Sequence, residues 1–160
     1  MTTSESVTNP FMSRAIELSI QNVRLGGGPF GAVIVKNGRI IAEGTNRVTA
    51  TKDPTAHAEI VAIREACRQL GAFDLKDCDI YASCEPCPMC LGALYWARPA
   101  RVYFAGLASD ASNAGFDDSF IYRELVRPHS ERKIVMTQMM REEALEAFRA
   151  WAAKPDKVLY

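Results

Sequence analysis

The chain has 160 residues, enough for one compact domain with a substantial core and too few for two of ordinary size. Its 19 Lys and Arg balance 19 Asp and Glu, so no overall positive field draws it to a polyanion, which argues against nucleic acid as a substrate. Of five cysteines, Cys84, Cys87 and Cys90 crowd together, a pattern better suited to metal ligation than to a disulfide framework. No apolar run is long enough for a signal core or a membrane span, so a reducing, cytoplasmic location is expected.

After a polar start, Met12, Ile16, Ile20 and Val23 follow helical spacing, and Gly26-Gly27-Gly28-Pro29 stops that helix. Phe30 to Val35 and Arg39 to Glu43 are short and β-prone. Lys36-Asn37-Gly38 between them supplies the positive φ angles of a tight hairpin. From His57 onward, Ile60, Ile63, Cys67 and Leu70 predict a second helix ending at Gly71. Asp79 to Ala82 reads as a strand running into the cysteines, Pro88 to Trp96 as a helix with proline in its first turn, and Arg101 to Ala105 as the next strand. Strands separated by helices of this length imply parallel pairing, with helices on both faces of the sheet. Gly106 to Asp118 is polar and loop-like, with Phe116 inside it. A short helix over Ser119 to Leu125, a strand at Lys133 to Thr137 and a helix from Arg141 to about Ala153 complete the chain. No repeat or interdomain linker interrupts it, so residues 1–160 are expected to form a single domain.

Two fragments carry the chemistry: His57-Ala58-Glu59 and Pro86-Cys87-Pro88-Met89-Cys90, each at the start of a predicted helix. They are similar to the zinc deaminase signature. One imidazole and two thiolates give zinc three protein ligands and leave the fourth tetrahedral position to water, as a catalytic site requires. The free N–H groups at a helix N-terminus favour thiolate over thiol. Two thiolates offset the zinc charge and leave its water less acidic, so a neighbouring base is useful, and Glu59 supplies one. The spacing also poses a difficulty, because residues two apart do not share a helix face and His57 and Glu59 must straddle the ion. A closed structural site of Cys84, Cys87, Cys90 and His57 is the alternative, and it leaves Glu59 without a role. Cys67, on a predicted apolar helix face, and Cys78, beside a turn, read as packing or surface residues.

Beyond these fragments, the chain from about Phe11 to Tyr160 resembles the bacterial guanine deaminases of the cytidine deaminase-like superfamily. The resemblance rests on Gly28-Pro29-Phe30-Gly31-Ala32, Asn46, Asp53-Pro54-Thr55-Ala56-His57-Ala58-Glu59, Ser83 to Cys90, Tyr95 to Pro99, Ala114 to Phe120 and the terminal tyrosine. It implies a three-layer α/β/α fold around a mixed sheet of about five strands, with one Zn2+ per subunit held by His57, Cys87 and Cys90. The implied reaction is hydrolysis of guanine to xanthine and ammonia, with Glu59 moving protons. The substrate-binding set would be Phe30, Asn46, Ala58, Trp96, Asp118 and Tyr160. The resemblance also implies a homodimer whose C-terminal segment, released by Pro155, crosses to cover the partner's site.

Each of these residues has a plainer explanation. Phe30 and Trp96 could be core aromatics. Asn46 could shape a turn, Asp117 or Asp118 could cap the following helix, and the tail could be a frayed end. Rival substrates are adenosine in tRNA, cytosine, guanosine and triazine amines such as ammeline. A zinc-stabilised interaction module is the non-enzymatic reading.

Overall fold

Asn9 opens the first helix, α1 (Pro10–Arg24), with its Oδ1 accepting from the N–H groups of Phe11 and Met12 at 2.9 and 3.0 Å, and Pro10 occupies the first turn. This computed structural model of the chain describes residues 8–160. Strands β1 (Gly31–Lys36) and β2 (Arg39–Thr45) form the expected hairpin, turned by Asn37 and Gly38 at φ 51° and 72°. The short α2 (Val48–Thr51) leads to α3 (Ala58–Leu70), which stops at Gly71 with φ 60°. Next come β3 (Cys78–Cys84), α4 (Pro88–Ala97) and β4 (Arg101–Gly106). The polar stretch beyond β4, expected to be a loop, contains α5 (Ala108–Asn113), closed at its start by the Asp110 carboxylate accepting from Leu107 N–H at 2.8 Å.

The sheet is mixed, in the order β2-β1-β3-β4. β1 runs antiparallel to both β2 and β3, while β3 and β4, joined through α4, are parallel. Its two faces bury different alternate residues. Val33, Val35 and Tyr81 meet Ala15 and Leu18 of α1 on one side. Ala32, Ile34 and Ile80 meet Ala58, Ala62 and Ala66 of α3 and Leu94 and Ala97 of α4 on the other. This is the α/β/α layering expected from the sequence.

Which helix face turns inward departs from the hydrophobic spacing. α1 buries Ala15, Leu18, Ser19 and Asn22, whereas Ile16, Ile20 and Val23 are 39%, 50% and 51% exposed. α3 likewise seats Ala58, Ala62 and Ala66 deepest, with Ile63, Cys67 and Leu70 packed at the flank of the core. The reason is close approach. A Cβ on Gly31 would overlap Ala15 O and lie 2.8 Å from Ser19 N, and one on Gly44 would overlap Ala58 O and lie 2.6 Å from Ala62 N. Each helix thus rests on a strand glycine, a depth that only small side chains permit.

The described residues divide into two compact units after Asp118. The second contains α6 (Ser119–Leu125), a 3-10 turn at His129–Glu131 and α7 (Arg141–Ala153). Among the described residues, Lys133 to Thr137, expected as a strand, pairs in no ladder, and the sheet has four strands where about five were expected. Its apolar residues Ile134 and Val135 are 78% and 85% exposed, so β-prone side chains there lack the packed surface that makes a strand worth forming.

Candidate functional site

Two helices begin at one place. His57 is the residue before α3, with extended backbone at φ −69° and ψ 157°. Cys87 stands in the same relation to α4, at φ −66° and ψ 168°, with Pro88 starting the helix and Cys90 at its third position. The spacing difficulty between His57 and Glu59 dissolves here, because His57 lies just outside the helix on an extended residue while Glu59 is inside the first turn. The loop that delivers His57 is braced by Asp53, whose Oδ1 accepts from Thr55 N–H at 2.8 Å and from Thr55 Oγ1 at 2.7 Å. Those bonds, with Arg64 beside them, hold the Asp53 carboxyl below its ordinary pKa.

The His57, Cys87 and Cys90 ligand atoms all lie within 4.8 Å of one another. Nδ1 of His57 is 3.5 Å from Cys87 Sγ and 3.6 Å from Cys90 Sγ. A tetrahedral zinc with Zn–N of about 2.0–2.1 Å and Zn–S of about 2.3 Å places nitrogen and sulfur ligands about 3.5–3.6 Å apart, so this donor set fits zinc in both chemistry and span. Cys84 is not part of the group: its Sγ points to Leu107 O at 3.5 Å. Among the described residues three donors converge, which leaves a tetrahedral ion a fourth position.

The electrostatics suit a divalent cation. The Cys87 thiol is pulled down to about 4, first by its bond from Cys90 and then by His57, against the effect of burial. Cys90 is pushed the opposite way, first by that same bond and then by burial and Glu59. The side chains alone therefore favour one thiolate and one thiol, and a cation would displace the remaining proton. His57 is raised chiefly by its bond to Cys87. Glu59 is 8% exposed, with Oε2 3.4 Å from Cys90 Sγ, and burial pushes its carboxyl up. A carboxyl so placed beside a metal-ligand set is suited to carrying protons.

The strand ends and the turns beyond them carry the other residues expected of the site. Glu85 accepts from Ala108 N–H at 3.0 Å and donates its own N–H to Gly106 O at 2.8 Å, clasping the turn before Cys87 to the start of α5. The chain then reaches Phe116, whose ring meets Phe30 edge-on at 5.0 Å, and Asp118, raised by burial and by nearby Cys87. Asn46, half-buried, accepts at Oδ1 from Val48 N–H at 3.2 Å. Ala58 is buried as the first residue of α3. Trp96 is in the last turn of α4, roughly 12 Å of helical rise from Pro88, and is 65% exposed. Tyr160 belongs to the second unit and is 70% exposed. Phe116 has no role assigned from sequence, and its one signal there is a large aromatic side chain in a polar stretch.

The cytidine and deoxycytidylate deaminase zinc-binding region matches residues 5–106, more than half of the chain. The chain is 57% identical to the guanine deaminase of Bacillus subtilis (strain 168) over 151 residues, covering 94% of this chain and 97% of that protein. The tRNA-specific adenosine deaminase of Aquifex aeolicus is 44% identical over 97 residues, covering 61% of this chain and 64% of the relative. The X-ray structure of guanine deaminase from Bacillus subtilis superposes with a TM-score of 0.92 at 56% identity, covering 96% of this chain and 99% of that one.

Proposed function

This chain belongs to the zinc-binding cytidine and deoxycytidylate deaminase family, on its guanine deaminase branch, and from that premise we propose that the cluster of His57, Glu59, Cys87 and Cys90 hydrolyses guanine to xanthine and ammonia. The observation that carries this reading is the three-donor group with a buried carboxyl against it, since a closed structural site would have no use for Glu59. His57, Cys87 and Cys90 hold one zinc per subunit. When bound, zinc supplies a Lewis acid that activates water near neutral pH.

The chain's own residues do the rest. Glu59, kept from bulk water, takes the proton released in attack and returns protons to the ring nitrogen and the leaving amine. Asn46 has its Oδ1 committed to Val48 N–H, which leaves Nδ2 as the donor to a purine acceptor. Phe30 offers an apolar face to the flat base, and Phe116 holds that ring edge-on. Asp118 accepts from a ring N–H, and the Ala58 main chain lies beside the bound base. Trp96 and Tyr160 supply aromatic cover.

The active form is a homodimer whose C-terminal segment closes the partner's site. In support, no residue of the Ser119–Tyr160 unit is buried, although it carries Phe120, Phe148, Trp151, Val158 and Leu159. Apolar side chains in such numbers call for a partner surface. The thiolate ligands suit a reducing cytoplasm. Among the described residues no helix is long and apolar enough to cross a membrane. The tRNA deaminase reading has less support, because that likeness covers 61% of the chain against 94% for the guanine deaminase.

Ammonia release from guanine, cytosine and adenosine-containing RNA, measured with zinc content, tests the proposal. Guanine should be the preferred substrate. Glu59→Gln should keep zinc and lose about 10²–10⁴-fold in turnover, as expected when a general acid–base group is removed. Faster release from RNA, or a mutant within tenfold of wild type, would reject it.

A further inference from the structure

β1 begins just after Phe30 and β2 ends just before Asn46, and one buried side chain holds both places. Asn22, in the last turn of α1, is 9% exposed. Its Nδ2 donates to Gly28 O at 2.8 Å and to Asn46 O at 2.9 Å, while its main-chain oxygen accepts from Gly27 N–H at 2.8 Å. Asn46 N–H donates to Phe30 O at 3.2 Å, and the Asn46 side chain lies against Gly28, where a Cβ would come within 3.2 Å of its Cγ.

We propose that Asn22 is a positioning residue for substrate recognition: its carboxamide pins the Asn46 main chain to the glycine turn, so that the Asn46 amide and the Phe30 ring are set before substrate arrives. This rests on the assignment of Asn46 and Phe30 to the substrate pocket. The chemistry asks for an amide, because one nitrogen must give two hydrogens to two carbonyls from separate segments. A carboxylate would offer only acceptors, and an aliphatic side chain nothing. Both carbonyls would otherwise have to turn in search of donors, carrying Asn46 and Phe30 with them. A recognition group displaced by even about 1 Å loses much of its effect on rate.

Gly27 belongs to the same device. A Cβ there would overlap Asn22 Nδ2 and lie 2.7 Å from its Cγ, and Gly27 is not at a positive φ. Gly27→Ala therefore displaces the carboxamide while leaving every donor and acceptor in the chain.

The test is a double-mutant cycle on kcat/KM for guanine, with zinc content and thermal unfolding followed in each variant. Asn46→Ala should lose about 10–100-fold, the scale of one directed substrate contact. Asn22→Ala should lose a comparable factor with zinc retained. In the Asn22→Ala background, adding Asn46→Ala should then cost no more than about threefold, since the amide is already misplaced. Gly27→Ala should reproduce Asn22→Ala, and it carries the cycle if Asn22→Ala does not fold. Losses that multiply, or wild-type kcat/KM in Asn22→Ala or Gly27→Ala, overturn the positioning role alone. Failure of both variants to fold also overturns it, by making Asn22 a stability residue. Wild-type turnover in Asn46→Ala overturns the pocket assignment first and the role of Asn22 with it.

Discussion

His57 and Glu59 are two positions apart, a separation that on a regular helix turns side chains about 200° away from each other. They share a site because α3 starts between them, with His57 extended and Glu59 in the first turn. Cys87 repeats this arrangement ahead of α4, so two helix N-termini face the same donors and both favour thiolate. The division of labour among the cysteines follows. Cys87→Ala and Cys90→Ala should each lose zinc, whereas Cys84→Ser, whose side chain bonds to Leu107 O, should keep about one zinc per chain. Metal analysis of the purified variants checks this, and loss of zinc from Cys84→Ser to the same extent would restore a four-ligand structural site.

At the scale of elements, the positions of α1 and α3 are each decided by a strand glycine. Gly44 brings α3, and with it His57 and Glu59, down onto β2. Gly44→Ala forces a methyl against the Ala58 and Ala62 main chain, which cannot yield locally. The expected cost is about 1–3 kcal/mol of stability, typical of overpacking, together with weaker zinc retention. Denaturant unfolding and zinc competition measure the two effects, and an unchanged Gly44→Ala chain would refute the close-approach account. α1 is fastened to β2 differently. Arg14 Nε donates to Glu43 Oε1 at 2.7 Å and its NH2 group to Oε2 at 3.0 Å, and Arg14 holds the Glu43 carboxyl below its ordinary pKa. A lowered carboxyl contributes stability above its unfolded pKa of about 4.3 and loses it as pH falls through the folded value. The side chains are 33% and 37% exposed, so water screens the pair. Arg14→Met should cost about 0.5–1 kcal/mol at pH 7. That difference should vanish on acidification below the carboxylate range; a pH-independent difference would assign the loss to packing by the Arg14 stem instead.

For the whole molecule, the Ser119–Tyr160 unit poses the main question, since it has two helices and no buried residue. Exchange of this segment between subunits makes a sharp prediction. If the tail closes a site, deleting Val158 to Tyr160 should lower turnover with zinc nearly unchanged, because the missing residues would be a cover and not ligands. Mixing such subunits with Glu59→Gln subunits should then restore one working site per mixed dimer, because the intact Glu59 receives the complete tail of the inactive chain. Verified mixed dimers that stay as inactive as their parents would place each tail over its own site.

Local chemistry made much of this legible in the sequence. Asn37-Gly38 dictated the hairpin, Gly71 ended α3, and the His57-Ala58-Glu59 and Pro86-to-Cys90 fragments carried the zinc chemistry, because turn angles and ligand types belong to the residues themselves. Spacing failed where neighbours decide. The apolar residues of α1 predicted a helix but not its inward face, since the depth of packing was set by Gly31 on a strand the helix meets only after folding. Lys133 to Thr137 has β-prone side chains but pairs with no strand among the described residues. The contact of Phe116 with Phe30 and the reach of Asn22 to Asn46 lie between segments far apart in sequence. Such contacts depend on where β1 and β2 end relative to α1, a relation that packing alone creates.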